Sequence, residues 1–171
     1  MKNILIILSI LIIFSVGWML YLNNQKEKDE NFSNTTIYTN SQYTLRLLPG
    51  YKASIYSDMF GESDIMIQRD GDDNNFPDLH ITYFLSESAS FDVLKSSYKL
   101  GGFVTKKEKE IMIDGVKAYK IDGIYNRVSG KMFATRVLFE HNNNMFEIYI
   151  NSETKEEYRE LLKMLNTLDL K

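Results

Sequence analysis

The sequence of 171 residues contains no cysteine. This absence excludes disulfide bonds, thiol nucleophiles, cysteine-ligated zinc fingers and the acylated cysteine of a lipoprotein. Histidine is scarce, with two copies, and the chain lacks the G-x-S-x-G, G-x-G-x-x-G and Walker A patterns. The sequence therefore indicates no familiar nucleophile, dinucleotide-binding or phosphate-loop site, and it predicts no cofactor.

A surplus of positive charge is also missing. Lys plus Arg number 20 and Asp plus Glu number 23, so the formal net charge is −3. Because phosphate backbones are bound by basic surfaces, this balance argues against nucleic acid as the main partner. The rest of the composition, 44% apolar and 25% charged, is typical of one domain with a packed core.

The longest apolar run lies at the beginning of the sequence. Residues 4–22 carry no charge, and as a helix they would be about 28 Å long, close to the thickness of a bilayer core. We therefore expect residues 1–25 to form a membrane anchor. The predicted membrane-spanning residues include Ile4, Leu11, Trp18 and Leu22. Trp18 lies near the far end of the run, where amphipathic rings prefer the membrane interface.

A cleaved signal peptide is the alternative interpretation of this run. Ser15-Val16-Gly17 would be the small-residue cleavage site. Cleavage would leave five bulky residues, Trp18 to Leu22, at the start of the mature chain, which favours the uncleaved anchor. Lys2 precedes the run, while Lys26 and Lys28 follow it, so flanking charge does not fix the orientation.

Residues 26–34 are polar and are predicted to form a linker, and the folded domain is predicted over residues 35–171. Strand patterns dominate that domain. Asp114-Gly115 is the strongest hairpin turn in the chain, and Asn142-Asn143-Asn144 tolerates left-handed backbone geometry. The predicted strands are 35–40, 43–48, 52–57, 63–69, 79–85, 104–113, 116–125, 131–140 and 145–151.

Two helices complete the predicted domain. Ser90 caps a short helix that ends before Gly101-Gly102. A second helix follows Ser152, its predicted cap, and carries an apolar stripe that includes Leu161 and Leu165. The pattern predicts an α+β domain, with helices packed on a twisted antiparallel sheet and one transmembrane helix before it.

Three segments give this order of elements a resemblance to the PsbP-like family, over most of residues 42–170. The segments are YTLRLLPGYK at 43–52, IMIDGVKAYKI at 111–121, and FEIYINS at 146–152 with the helix and MLNTL at 164–168. They resemble the opening strand and turn of the family, its central hairpin, and its last strand and helix. Tyr51 stands where the family usually has Trp. The resemblance implies an αβα sandwich and non-enzymatic roles in binding or assembly, and it supplies no catalytic residue.

An acidic loop is the candidate metal site. Asp70, Asp72 and Asn74 have the 1-3-5 spacing of a calcium loop, which uses hard oxygen ligands. Asn75 and Ile81 stand where such a loop requires Gly and Glu. The pattern therefore favours a solvated loop, with a weak cation site as the alternative.

The two histidines are the candidates for acid–base chemistry. His80 lies in a predicted strand, with no neighbouring histidine or cysteine in the sequence, and His141 lies beside the Asn turn. A Ser-His-Asp site is assembled in space rather than in sequence. A hydrolase therefore remains the least favoured hypothesis.

A lysine-rich hairpin is the candidate interaction surface. It comprises Lys106, Lys107 and Lys109 on one strand and Lys117 and Lys120 on the next. One interpretation is that these side chains contact acidic lipid headgroups or an anionic wall polymer. The other is that they form the solvent-exposed face of a hairpin whose lysines prevent pairing with a further strand.

From these features we expect a non-enzymatic binding or assembly module anchored in the cell membrane. The anchor would contact lipid, and the domain would lie outside the cytoplasm, where it would bind a protein or cell-envelope partner. Cleavage of the first segment would instead give a secreted protein. A small-ligand or cation sensor is the alternative function.

Overall fold

Ten strands and two helices make up the described part of the chain. The computed structural model describes residues 35–57, 63–71, 78–85, 90–97, 102–127 and 130–171. The strands are β1 (Thr36–Thr39), β2 (Tyr43–Leu47), β3 (Tyr51–Ser57), β4 (Ser63–Arg69), β5 (Leu79–Leu85), β6 (Phe103–Ile113), β7 (Val116–Arg127), β8 (Gly130–His141), β9 (Asn144–Ser152) and β10 (Asp169–Leu170). The helices are α1 (Phe91–Ser97) and α2 (Lys155–Leu165).

Seven strands form the main sheet in the order β3-β4-β5-β9-β8-β7-β6, and every neighbouring pair is antiparallel. The predicted α+β class is confirmed. The predicted Asp114-Gly115 hairpin is confirmed by the pairing of β6 with β7, and β3 pairs with β4 and β8 with β9 in the same way. Strand β5 pairs with β9, so residues far apart in the sequence meet at the centre of the sheet.

Turn chemistry explains two of these hairpins. Asp114 and Gly115 adopt φ values of 45° and 79°, and Asn142 and Asn143 adopt 48° and 61°. Two successive positive φ angles define the turn whose twist matches that of antiparallel strands, and Asp, Asn and Gly reach these angles at low cost. The local sequence therefore fixes the registers of β6 with β7 and of β8 with β9.

The first two predicted strands pair with each other, but outside the main sheet. Strand β2 pairs with β1 on one side and with β10 on the other, which gives a separate three-stranded sheet. This corrects the expectation of a single sheet. The two residues of β10 are too few to show an alternating pattern, so the sequence does not predict this strand.

The main core lies on the face of the large sheet that carries Ile65, Ile81, Val137 and Ile148, here called the front face. Helix α2 packs on it, and the three-stranded sheet contributes Tyr43 from β2. The ring of Phe146 stacks on Phe139 at a centroid distance of 4.8 Å and meets Tyr43 edge-on at 6.3 Å. The helix residues buried in this core are Leu161, Met164 and Leu165.

The opposite face, here called the back face, has a smaller core. Phe103, Ile121, Ala134 and Leu138 are buried there, and Phe91 and Leu94 of α1 pack against them. A Cβ added to Gly123 of β7 would lie 2.5 Å from the ring of Phe103 and 2.6 Å from the backbone oxygen of Val104, both in β6. The missing side chain therefore lets β6 approach β7 closely, beside the irregular pairing between Thr105 and Lys107.

The second helix begins two residues later than the sequence predicts. Thr154 is the N-cap, and its side chain accepts a hydrogen bond from the backbone N–H of Glu157. The predicted cap, Ser152, is a buried residue of β9 whose hydroxyl accepts from the N–H of Thr154 and donates to Glu157 Oε2 at 2.6 Å. Both hydroxyls thus satisfy polar groups at the start of the helix.

Among the described residues, neither helix is long and apolar enough to cross a membrane. The predicted span, with Ile4, Leu11, Trp18 and Leu22, and the predicted linker at 26–34 both lie outside those residues.

Candidate anion-binding face

Strand alternation separates the charges of the β6–β7 hairpin between the two faces. Cross-strand register pairs Lys107 with Asp122 and Lys109 with Lys120, so these residues point to the front face. Glu108, Glu110 and Lys117 point to the back face. Lys106 lies within the irregular pairing and has no register partner. The five predicted lysines therefore do not share one surface.

The pairing of these lysines follows the same division. Lys117 is bound to Glu110 at 2.7 Å on the back face, and Lys120 is bound to Asp122 at 3.1 Å on the front face. Lys106, Lys107 and Lys109 are exposed and form no ion pair with any described carboxylate. Lys109 also faces Lys120 directly, and like charges at such positions repel. Lys107 and Lys109 therefore carry exposed positive charge on the front face, where Asp122 is the nearest acid in the register and is bound to Lys120.

Lys120 belongs to a polar cluster beneath this surface. Its side chain is only 14% exposed, although the sequence suggests a solvent-exposed position. The Oδ1 atom of Asp122 accepts hydrogen bonds from Thr135 at 2.6 Å and from Tyr158 at 3.3 Å. Burial, reinforced by the charge of Asp122, raises the pKa of Tyr158 to about 12. The phenol therefore stays protonated near neutral pH, and Asp122 is held in place by three neighbours.

Helix α2 reaches the same polar cluster through Tyr158. Its hydroxyl contacts Asp122 of β7 and Thr135 of β8, so the Tyr158 side of the helix faces those two strands. Lys155 and Leu162 lie three and four residues from Tyr158, which places them on that side of the helix. The hairpin pattern alone did not indicate Lys155, and its spacing from Tyr158 is the signal that could have found it.

The opposite side of α2 is acidic and is anchored to β4. Arg69 donates to Glu160 Oε2 at 2.8 Å and to the Tyr51 hydroxyl at 3.2 Å, and Tyr51 donates to Glu160 at 3.0 Å. Glu157 lies 3.5 Å from the Arg69 guanidinium. Glu160 thus pairs with Arg69, and this ion pair fixes one side of α2 to β4.

The solved structure of cyanobacterial PsbP (CyanoP) from Synechocystis sp. PCC 6803 matches this architecture. Its TM-score is 0.54 at 7% sequence identity, and the match covers 80% of this chain and 92% of that one. The domain has the PsbP-like fold. This confirms the resemblance drawn from the sequence at the level of fold.

Two further structures are similar to the chain. A crystal structure from Bacteroides thetaiotaomicron VPI-5482 matches with a TM-score of 0.50 at 11% identity, over 80% of this chain and 48% of that one, so the chain spans about half its length. LpqN of Mycobacterium tuberculosis, described as involved in cell envelope biogenesis, matches with a TM-score of 0.44 at 11% identity, over 80% of this chain and 90% of that one. A likeness at that score carries no functional argument.

The sequence itself matches no protein-family profile. It also matches no curated protein closely enough to indicate common descent.

The candidate cation loop lies at the border of the described part of the PsbP-like domain. Asp70 is exposed, and its backbone N–H donates to the Gly50 carbonyl at 2.7 Å. Asp72 and Asn74 lie outside the described residues. Within those residues, no cluster of three or more His, Asp or Glu side chains is arranged to hold a metal ion.

The two histidines lie far apart in the PsbP-like domain. His80 sits in the middle of β5, with its Nε2 3.5 Å from the Thr82 hydroxyl. His141 ends β8, with its Nε2 3.0 Å from the backbone oxygen of Lys171. These contacts do not bring the two rings together into one acid–base site.

The ion pair between Arg136 and Glu147 lies on the back face and holds neighbouring strands together. Arg136 donates to Glu147 at 2.6 Å and to the Tyr125 hydroxyl at 3.3 Å, and its guanidinium stacks 4.5 Å from the ring centre of Tyr149. Register pairing places Arg136 beside Tyr149 on the neighbouring strand. These contacts bind β7, β8 and β9 together, so the cationic front surface is the stronger candidate for recognition.

Proposed function

We propose that this chain is a non-enzymatic, membrane-anchored module that binds an anionic partner of the cell envelope, a protein or an envelope component. The observation that carries the proposal is the separation of charge across the β6–β7 hairpin. Lys106, Lys107 and Lys109 remain exposed and unpaired by described carboxylates, while the acids of the same strand point to the other face. The module would act by presenting this surface, without covalent chemistry.

The uneven distribution of charge supports this function in a chain that is acidic overall. The net charge of −3 predicts weak attraction to anions in general. A local cluster of unpaired lysines directs an anionic partner to one place and increases its association rate. An anchor at residues 1–25 would hold the domain outside the cytoplasm and would raise its effective concentration at the envelope.

The test is a crosslinked pull-down of the full-length protein from its own membranes. The wild type is compared with the double variant Lys107→Glu/Lys109→Glu and with Lys117→Glu. Lys117 is the matched control because it is exposed, lies on the same hairpin and points to the opposite face. We expect a discrete partner to be captured by the wild type and by the Lys117→Glu variant, and lost from the double variant.

Equal capture by all three proteins would contradict a role for the lysine edge. Circular dichroism and thermal unfolding of each variant show whether the fold is retained. If the double variant unfolds, Lys107→Gln/Lys109→Gln removes the charge without adding repulsion and tests the same prediction.

A further inference from the structure

The two edges of the main sheet, as the described strands form it, differ in how they are protected against pairing with a further strand. Strand β6, at one edge, carries alternating Lys and Glu and an irregular pairing between Thr105 and Lys107. Both features disfavour a further strand. Strand β3, at the other edge, has Lys52 as its single charged residue and pairs with β4 in an unbroken register along its whole length. The β3 edge is therefore regular and almost neutral.

The register of β3 with β4 shows which backbone groups of β3 face outward. The N–H of Asp70 donates to the Gly50 carbonyl at 2.7 Å, one step beyond the first register pair of the two strands. Backbone groups along a strand point alternately to its two sides. Residues at even positions of β3 therefore bond β4, while Ala53 and Ile55 direct their N–H and C=O groups away from it. Within the described residues, no backbone group pairs with them on that side.

The side chain of Ile55 is the apolar part of this edge. It is 68% exposed, although its register partner on β4, Ile65, is fully buried. Next to this pair on the front face, Ile67 is fully buried beside Ala53, which is partly exposed. The apolar layer of the front face thus extends to the edge strand and ends there in an uncovered isoleucine.

A second copy of β3, related to the first by a two-fold axis at Ser54, fits both properties of the edge. In this antiparallel arrangement Ala53 lies opposite Ile55 of the second copy, so the outward N–H and C=O groups of both residues can bond across the joint. On the front face, each Ile55 would lie between Ile65 of its own chain and Ala53 of the other. A large side chain therefore meets a small one on both sides of the axis, and Ile55 is covered.

Charge and turn geometry favour this register over its neighbours. The two copies of Lys52 would be offset by four residues, or about 13 Å along the strands, which exceeds the screening length of about 8 Å at physiological salt. An axis at Ala53 would require the N–H of Tyr51, which already donates to the Leu48 carbonyl at 3.2 Å. An axis at Ile55 would place the two isoleucines directly opposite each other and move Ala53 out of the apolar row.

From this geometry we infer that two copies of the chain associate by antiparallel pairing of their β3 strands about Ser54, which joins their main sheets. The inference is independent of the proposed function, because β3 and the lysine-bearing β6 form opposite edges of the described sheet. A joint of one short strand per copy is small compared with stable interfaces, which bury about 1,200–2,000 Å². Association is therefore expected to be weak in solution and stronger in a membrane, where the predicted anchors would concentrate the chains.

The test places one cysteine at a time in a chain that has none, with the full-length variants Lys52→Cys, Ala53→Cys, Ser54→Cys and Ile55→Cys. Membranes that contain each variant are oxidised with copper phenanthroline, and covalent dimers are quantified on gels and identified by mass spectrometry. Opposite residues that do not bond each other have Cα atoms about 4.5 Å apart, a distance that a disulfide can span. We expect Ser54→Cys to give the highest dimer yield of the four, at least about fivefold above that of Lys52→Cys.

Two controls separate pairing from random collision. Thr105→Cys places the thiol on an exposed position of the opposite edge and should give a yield close to that of Lys52→Cys. Adding Ile55→Lys to Ser54→Cys should reduce the yield at least about fivefold, because it places a charge in the joint. Adding Met112→Lys should leave the yield unchanged, since Met112 is 64% exposed, as Ile55 is 68% exposed, but lies on β6.

Four outcomes would overturn the inference. They are a yield from Ser54→Cys no higher than from Thr105→Cys, a maximum at another position of β3, a yield unaffected by Ile55→Lys, and a crosslink of Ser54→Cys to a different protein, which would assign the edge to that partner. Thermal unfolding of each variant shows whether its fold is retained. If Ile55→Lys unfolds the domain, Ile55→Ser replaces it and should also lower the yield.

Discussion

Tyr158 is the residue that joins the second helix to the polar cluster around Asp122. Its ring lies 5.7 Å from that of Phe133, and its hydroxyl contacts Thr135 and Asp122. Thr135 is fully buried, so this hydroxyl contact lies where an unpaired polar group would be costly. The same residue therefore contributes to the core with its ring and to the electrostatics of the surface with its oxygen.

Titration of Tyr158 predicts how stability depends on alkaline pH. Its pKa rises from 10.0 to about 12 in the folded chain, so the native state holds the phenol proton more tightly than the unfolded state. The contribution of this group is complete below pH 10 and declines as the pH rises from 10 to 12, by on the order of 2 kcal/mol. Urea unfolding at pH 7 and across this range should show a shallower alkaline loss in Tyr158→Phe. Identical slopes in the two proteins would contradict the assignment.

Tyr51 has a comparable role at the other side of the helix. Its ring is buried, and its hydroxyl lies between Arg69 and Glu160. Burial raises its pKa above the ordinary value, so the hydroxyl remains a hydrogen-bond donor. The Pro-Gly turn before Tyr51 thus delivers an aromatic side chain to the start of β3, where it fixes the acidic side of α2.

Helix α2 makes both apolar and polar contacts with the front face of the main sheet. Its buried stripe packs on that face, its Glu157 and Glu160 contact β4, and its Tyr158 contacts β7 and β8. The helix must begin at a defined residue to keep these orientations, because one residue rotates the side chains by about 100°. The cap at Thr154 sets that starting point.

Removal of this cap should weaken the domain measurably. Thr154→Ala deletes the oxygen that accepts from the Glu157 N–H, and we expect a loss of about 1 kcal/mol in the free energy of unfolding. Thr154→Ser keeps the oxygen and should restore most of that stability. Urea denaturation of the three proteins provides the measurement. A loss of the same size in both variants would point to the methyl group of Thr154 instead of its hydroxyl.

Edge strand β6 shows how one element can combine protection with recognition. Its charged side chains and its irregular pairing with β7 disfavour pairing with a further strand. The same alternation of Lys and Glu places unpaired lysines on one face only. Protection of the edge and presentation of charge are therefore compatible properties of a single sequence.

For the whole molecule, Thr36–Lys171 forms one compact unit. The main sheet, the three-stranded sheet and both helices all lie within that unit. Attachment of this unit to a membrane is predicted to depend on the apolar run at residues 4–22.

Fractionation of cells tests this dependence. The full-length chain should sediment with membranes, resist extraction by alkaline carbonate and dissolve in detergent, because residues 4–22 are uncharged and long enough to span. The chain that begins at Thr35 should remain in the supernatant. Carbonate release of the full-length chain would contradict a spanning anchor. Protease accessibility in intact cells with the outer layers removed would show the side on which the domain lies.

Much of the fold could be predicted from the sequence because the deciding interactions are local. Asp114-Gly115 and Asn142-Asn143 impose hairpin turns, and the alternation of Phe146, Ile148 and Ile150 identifies a strand buried on one face. These signals depend on residues close together in the chain. The same alternation fixes that Lys107 and Lys109 share a face and that Lys117 takes the opposite one.

The remaining features depended on contacts between distant residues, and only the tertiary structure decided them. Strand β2 pairs with β10, so β1 and β2 lie outside the main sheet. Lys120 is largely buried beside Asp122, although the sequence suggests a solvent-exposed position. The tertiary structure also brought Tyr158 of α2 to Asp122 of β7. A periodic pattern shows which side chains share one face of an element. The packing of hydrophobic faces determines which elements meet, and so which polar groups lie together.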